Sequence, residues 1–140
     1  MKIFIRLGLL ALLAVGLIVP FGCQKAEGEG GRASISGRIY VKKMRPDGTV
    51  RAEFYAPEER VYIIYGDTSR VYDDDMRTDF DGRYRFRWLR AGTYTIFVYS
   101  ECWLGETDCI EIGGQYPVFR EVTIDRNEQV ELEDIIIFDY

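Results

Sequence analysis

The chain of 140 residues contains no histidine. That removes the commonest general base at neutral pH and the commonest metal-ligating side chain, so neither a Ser-His-Asp nor a Cys-His arrangement can be assembled. Cysteine is scarce, at three residues, and without histidine two thiolates complete a zinc site only with help from carboxylates. Dense positive charge is also missing: the formal net charge is −5. Nucleic acids and anionic membrane surfaces bind through counterion release to clustered cations, so neither is expected as a general partner. No stretch shows the 3.6-residue apolar period of an amphipathic helix. A carboxylate dyad is formally possible among 23 acids, but no pair is marked out by spacing. The expectation is therefore no catalysis and no cofactor.

The one long apolar run is Leu7 to Val19, preceded by Lys2 and Arg6. At 13 residues it is shorter than the roughly 17–25 of a permanent membrane span and has the layout of an export signal. Gly22-Cys23 follows, and the composition then turns polar. A small residue directly before Cys resembles the lipobox of bacterial lipoproteins. The resemblance implies a signal peptide over 1–22 and a lipidated Cys23 that anchors the chain in a membrane. Gln24, in place of the Asp that retains such proteins at the inner membrane, implies the outer membrane, facing the periplasm or the cell surface. No acid precedes Cys23, so losing Lys2 and Arg6 takes the formal charge from −5 to −7. Residues 24–32 (QKAEGEGGR) are rich in glycine and charge. With Cys23 they read as a flexible tether over 23–32, reaching about 15–18 Å r.m.s.. Residues 33–140 are enough for one domain with one core.

Within 33–140 the apolar residues alternate. Ile35, Ile39 and Val41 alternate with Ser36, Arg38 and Tyr40; Tyr84, Phe86 and Trp88 with Arg83, Arg85 and Arg87; Tyr94, Ile96 and Val98 with Thr93, Thr95, Phe97 and Tyr99. Val122/Ile124 and Val130/Leu132 repeat the pattern. A period of two places one face in a core and the other toward solvent. Turn signals separate the runs at Pro46-Asp47-Gly48, Gly66-Asp67, Asp81-Gly82, Ala91-Gly92, Gly113-Gly114 and Arg126-Asn127. The prediction is an all-β, antiparallel β-sandwich of about seven strands.

Thr78-Asp79-Phe80-Asp81-Gly82-Arg83-Tyr84-Arg85-Phe86, then Leu89, then Gly92-Thr93-Tyr94-Thr95-Ile96, follows the pattern T-D-x-D-G-x-Y-x-F-x-x-L-x-x-G-x-Y-x-I. This resembles the transthyretin-like or carboxypeptidase-regulatory-like family and the related B-type repeats of bacterial adhesins. Ser36-Gly37-Arg38-Ile39-Tyr40-Val41 is similar to the family's opening strand and Glu59-Arg60-Val61-Tyr62-Ile63 to its second. The resemblance implies a prealbumin-like sandwich in which Asp81-Gly82 closes a tight hairpin. It is nearly silent on activity. Hydroxyisourate hydrolases share that fold but rely on histidines and a C-terminal tail that this chain lacks.

Four places carry possible chemistry. Asp73, Asp75, Asp79 and Asp81 surround a glycine turn and are the weak Ca²⁺ candidates; the favoured reading is that the aspartates bond local backbone N–H groups and hold no metal. Arg83, Arg85 and Arg87, with Arg90 beyond, form either a stripe for an acidic ligand or a solvated face paired with Asp73–Asp75. Cys102 and Cys109 are the even pair left once Cys23 is lipidated, and in an oxidising compartment they are expected to form a disulfide. The excursion between them holds Trp103 and Leu104, which with Tyr116 are the candidate partner-binding residues; a plug at one end of the core is the alternative use of Trp103 and Leu104. Ile135-Ile136-Ile137 is apolar on both faces, so that strand is either covered on both sides or offers a patch. The function that follows is a membrane-anchored, non-catalytic binding or structural module of the cell envelope. Its partner is an envelope protein or a glycan and not a nucleic acid; the alternatives are a glycan-binding accessory lipoprotein of an uptake system and a Ca²⁺-dependent adhesin-like spacer.

Overall fold

The computed structural model describes residues 26–66, 71–102 and 114–140. The described residues form nine strands: β1 (Glu29–Met44), β2 (Val50–Tyr55), β3 (Arg60–Tyr65), β4 (Asp74–Arg77), β5 (Arg83–Leu89), β6 (Gly92–Glu101), β7 (Gln115–Ile124), β8 (Gln129–Glu131) and β9 (Ile135–Asp139). One sheet is built around β1. Its first half lies between β5 and the short parallel β8, its second between β2 and the parallel β9. The other sheet runs β4-β3-β6-β7, antiparallel throughout. All-β sandwich architecture is as the alternation predicted. The count is nine rather than about seven, and two of the pairings are parallel. β2 and β4 escape a reading by alternation because VRAEFY is exposed at nearly every position and DDMR is short and acidic.

The core lies between the sheets. Ala33, Ile35, Ile39, Val41, Tyr84, Phe86, Leu89, Ile135 and Ile137 come from the first sheet, and Val61, Ile63, Tyr94, Ile96, Val98 and Ile124 from the second. Each fully buried aliphatic or aromatic side chain contributes roughly 1.5–3 kcal/mol relative to exposure. The final strand resolves by alternation: Ile135 and Ile137 enter the core while Ile136 is exposed. Gly37 is required where it stands, since a Cβ there would lie 2.5 Å from the hydroxyl oxygen of Tyr84, which is buried across it.

The Asp79–Gly82 turn differs from the expected hairpin. β4 and β5 belong to different sheets, so the turn carries the chain from one sheet to the other. Thr78 anchors this corner: its buried Oγ1 donates to Ala56 O at 2.6 Å and accepts from Glu59 N at 2.9 Å. Asp79 Oδ1 then accepts from the N–H groups of Asp81 and Arg83, both at 2.9 Å.

Trp88 is the second departure. Alternation put it in the core with Tyr84 and Phe86, but it is 67% exposed. Between the pairs Ala33↔Leu89 and Ile35↔Phe86, β5 carries two residues where β1 carries one. That bulge returns Leu89 to the core and throws Trp88 out. Trp88 sits at φ 62, a left-handed conformation that is a true outlier for a bulky residue, of order 1–3 kcal/mol in strain.

β1 begins at Glu29, and Ala26 and Gly28 just before it are bonded to the sandwich. The Tyr94 hydroxyl accepts from Gly28 N at 3.0 Å and donates to Arg90 O at 2.9 Å. Arg90 N donates to Gly28 O at 2.9 Å, and Arg90 Nη1 donates to Ala26 O at 3.1 Å.

Candidate functional site

The second sheet exposes an aromatic face. Along β3, Val61 and Ile63 point into the core, so Tyr62 points out; along β6, Ile96 and Val98 point in, so Phe97 and Tyr99 point out. The antiparallel registers set Tyr62 beside Phe97 and Phe97 beside Phe119. Neighbouring strands are about 4.7–4.9 Å apart, and the rings keep that spacing. Tyr62 and Phe97 stack at 4.9 Å with 12° between planes. Phe119 lies 5.4 Å from Phe97, and Tyr72, just before β4, lies 4.7 Å from Tyr62. Tyr99 stands edge-on to both central rings, at 5.6 and 5.7 Å.

The five rings therefore form one contiguous group drawn from β3, β6, β7 and the connection before β4. Its middle is packed, with Phe97 only 6% exposed, and its margins are open: Tyr72 is 42%, Tyr99 41% and Phe119 52% exposed. Polar groups rim it. Arg60 and Asp75 pair at 3.6 Å beside Tyr62. Glu121 lies opposite Thr95, and the Thr93 and Thr123 hydroxyls meet at 3.0 Å toward the Gly92 end of the sheet. Burial pushes the Tyr62 phenol above its ordinary value, so it stays neutral and can donate and accept hydrogen bonds. Beyond Tyr99 lies a cleft of about 290 Å³ lined by Glu59, Glu101, Phe138 and Asp139 among others.

Tyr116 is half-buried on β7 opposite Ser100, on the inner side of the sheet and not on the aromatic face. Trp103, Leu104, Cys109 and Cys23 lie outside the described residues. Cys102 is buried, and its N–H donates to Gly114 O at 3.0 Å.

The aspartates are dispersed. Asp73 Oδ2 accepts from Tyr65 N at 2.7 Å, Asp75 pairs with Arg60, and Asp79 serves its own turn. Among the described residues no group of three or more Asp, Glu, Cys or His side chains is gathered as a metal would require.

Arg83, Arg85 and Arg87 do share one face. Their expected partners Asp73–Asp75 are on the other sheet, because β4 pairs with β3 rather than with β5. Arg83 instead reaches Glu131 at 4.0 Å, and Arg85 Nη2 donates to Gln129 Oε1 at 3.2 Å.

No protein-family model and no curated protein matches the chain. Solved structures offer a distant likeness. A Pseudomonas aeruginosa protein, provisionally described as carbohydrate-binding, is similar over 81% of this chain and 92% of its own, at 19% identity and a TM-score of 0.44.

The aromatic face itself was not singled out from sequence. Part of its signal was present: Phe97 and Tyr99 occupy the solvent side of an alternating strand, where Thr93 and Thr95 also stand. Phe119 and Tyr72 join them only through sheet pairing, which no local pattern reveals.

Proposed function

We propose that this protein is a lipid-anchored, non-catalytic binding module of the outer membrane, built on a transthyretin-like sandwich, whose aromatic sheet face takes a glycan. The observation that carries the reading is the contiguous group of Tyr62, Tyr72, Phe97, Tyr99 and Phe119, open at three rings. An exposed aromatic group of this extent on a sandwich marks an interaction surface.

A sugar ring combines a C–H face with a rim of hydroxyls. The apolar face matches an open aromatic ring, and the rim matches the phenols, Thr95, Glu121 and the Arg60–Asp75 pair. A linear glycan lying across the strands would meet the open rings of Tyr72, Tyr99 and Phe119 at the margins of the group. The bases of nucleic acid can stack on aromatic groups as well, but a molecule of this negative charge repels their phosphates.

The test is calorimetric titration of the mature chain against a panel of linear oligosaccharides. Tyr99→Ala and Phe119→Ala should each weaken binding by about 1 kcal/mol, roughly fivefold in Kd. Both rings are largely exposed, so the melting temperature should stay within a few degrees. Unchanged affinity in both variants would remove the aromatic face from the binding site.

A further inference from the structure

The end of the sandwich opposite Tyr99 and Glu101 is where the chain arrives from its N-terminal segment. Ala26 and Gly28 are bonded to Arg90 there, and Glu29 pairs with Leu89. Only three Cα–Cα steps separate Ala26 from Cys23, a reach of at most about 11 Å. A domain anchored at Cys23 is thus held with this end against the bilayer, without the freedom a ten-residue tether would allow.

The surface of that end is suited to such contact. Trp88 is next to Leu89, 67% exposed and held outward at φ 62 by the β5 bulge. Tryptophan has the amphipathic ring that settles at the level of lipid headgroups. The hollow at this end is lined by Arg32, Arg90 and Arg126 together with Glu27 and Asp125. These charges of opposite sign nearly cancel, so general electrostatic attraction does not hold this end down. The short anchor brings it to the surface, and the indole supplies the interfacial contact.

We infer that this end rests on the phospholipid surface with the Trp88 indole inserted at headgroup level. The aromatic rings are thereby held off the bilayer surface, since β6 runs outward from Gly92 at the docked end to Glu101, a rise of about 30 Å. This inference rests on the lipid anchor proposed above.

The experiment uses the full lipidated protein carrying Trp103→Phe, leaving Trp88 as the single indole, in vesicles of phosphatidylethanolamine and phosphatidylglycerol. The protein should float with the vesicles. Its emission should be blue-shifted relative to the Cys23→Ser chain in buffer, and lipids brominated near the headgroup should quench it more than lipids brominated near the chain end, as expected for insertion of about 5–10 Å. If Trp103→Phe does not fold, the difference between the wild-type chain and Trp88→Phe gives the same signal. Co-flotation with unshifted, unquenched emission would overturn the docking and leave the anchor standing. Protein that stays at the bottom of the gradient would overturn both.

Discussion

Glu59 sits half-buried beside the cleft beyond Tyr99, and desolvation raises its carboxyl above the ordinary value of 4.5, against smaller opposing effects from the Arg60 N–H and Arg77. A carboxyl whose folded pKa is raised binds its proton more tightly in the folded than in the unfolded chain. Its contribution to stability is full below the unfolded pKa and is lost as pH rises through the folded one. Glu59→Gln should therefore raise the melting temperature at pH 7 and leave it nearly unchanged at pH 3.5. The difference between variant and wild type should open between those pH values. A constant difference across the range, or a variant less stable at pH 7, would contradict the assignment. Other single residues were legible without coordinates. Asp79 is the turn-former that its spacing to Gly82 implied, because a short carboxylate accepts N–H bonds two to four residues on. Trp88 was not legible, since one extra residue in β5 reverses the direction of everything after it.

At the scale of strands, β1 and β5 approach closely at Gly31. A Cβ on Gly31 would lie 1.9 Å from the carbonyl oxygen of Leu89, which backbone cannot yield without moving a strand. Gly31→Ala should cost about 3 kcal/mol and lower the melting temperature by ~10 °C or more. Gly114→Ala is the control: its φ of 78 disfavours a side chain but nothing lies within 4 Å, so about 1 kcal/mol is expected. Equal effects of the two substitutions would show that the β1–β5 approach is not a tight constraint. The strands facing the core on one side announced themselves through alternation, as β1, β6 and β7 did. Edge elements such as β2 and β4 bury too little to leave a pattern. The crossing at Asp79–Gly82 looked like a hairpin because a turn sequence records how the chain bends and not which sheet it enters.

For the whole molecule, the sandwich has two unlike ends, and its second sheet carries an aromatic face. The N-terminal segment is bonded to one end through Tyr94 and Arg90, while Tyr72, Tyr99 and Phe119 open on the second sheet. Fold class was readable from periodicity because burial of one face per strand is a local property. The aromatic face was not, because its rings come from the β3–β4 connection and from three strands, and their assembly is a property of pairing. If this face is the binding surface, NMR of the unlipidated mature chain, with its aromatic side chains labelled, titrated with the tightest-binding oligosaccharide of the panel, should show it directly. Shifts are expected to concentrate on Tyr62, Tyr72, Phe97, Tyr99 and Phe119, with the rings of Tyr84 and Phe86 unmoved. Shifts confined to the arginine face of β5, or no ring responding to any glycan at millimolar concentration, would contradict it.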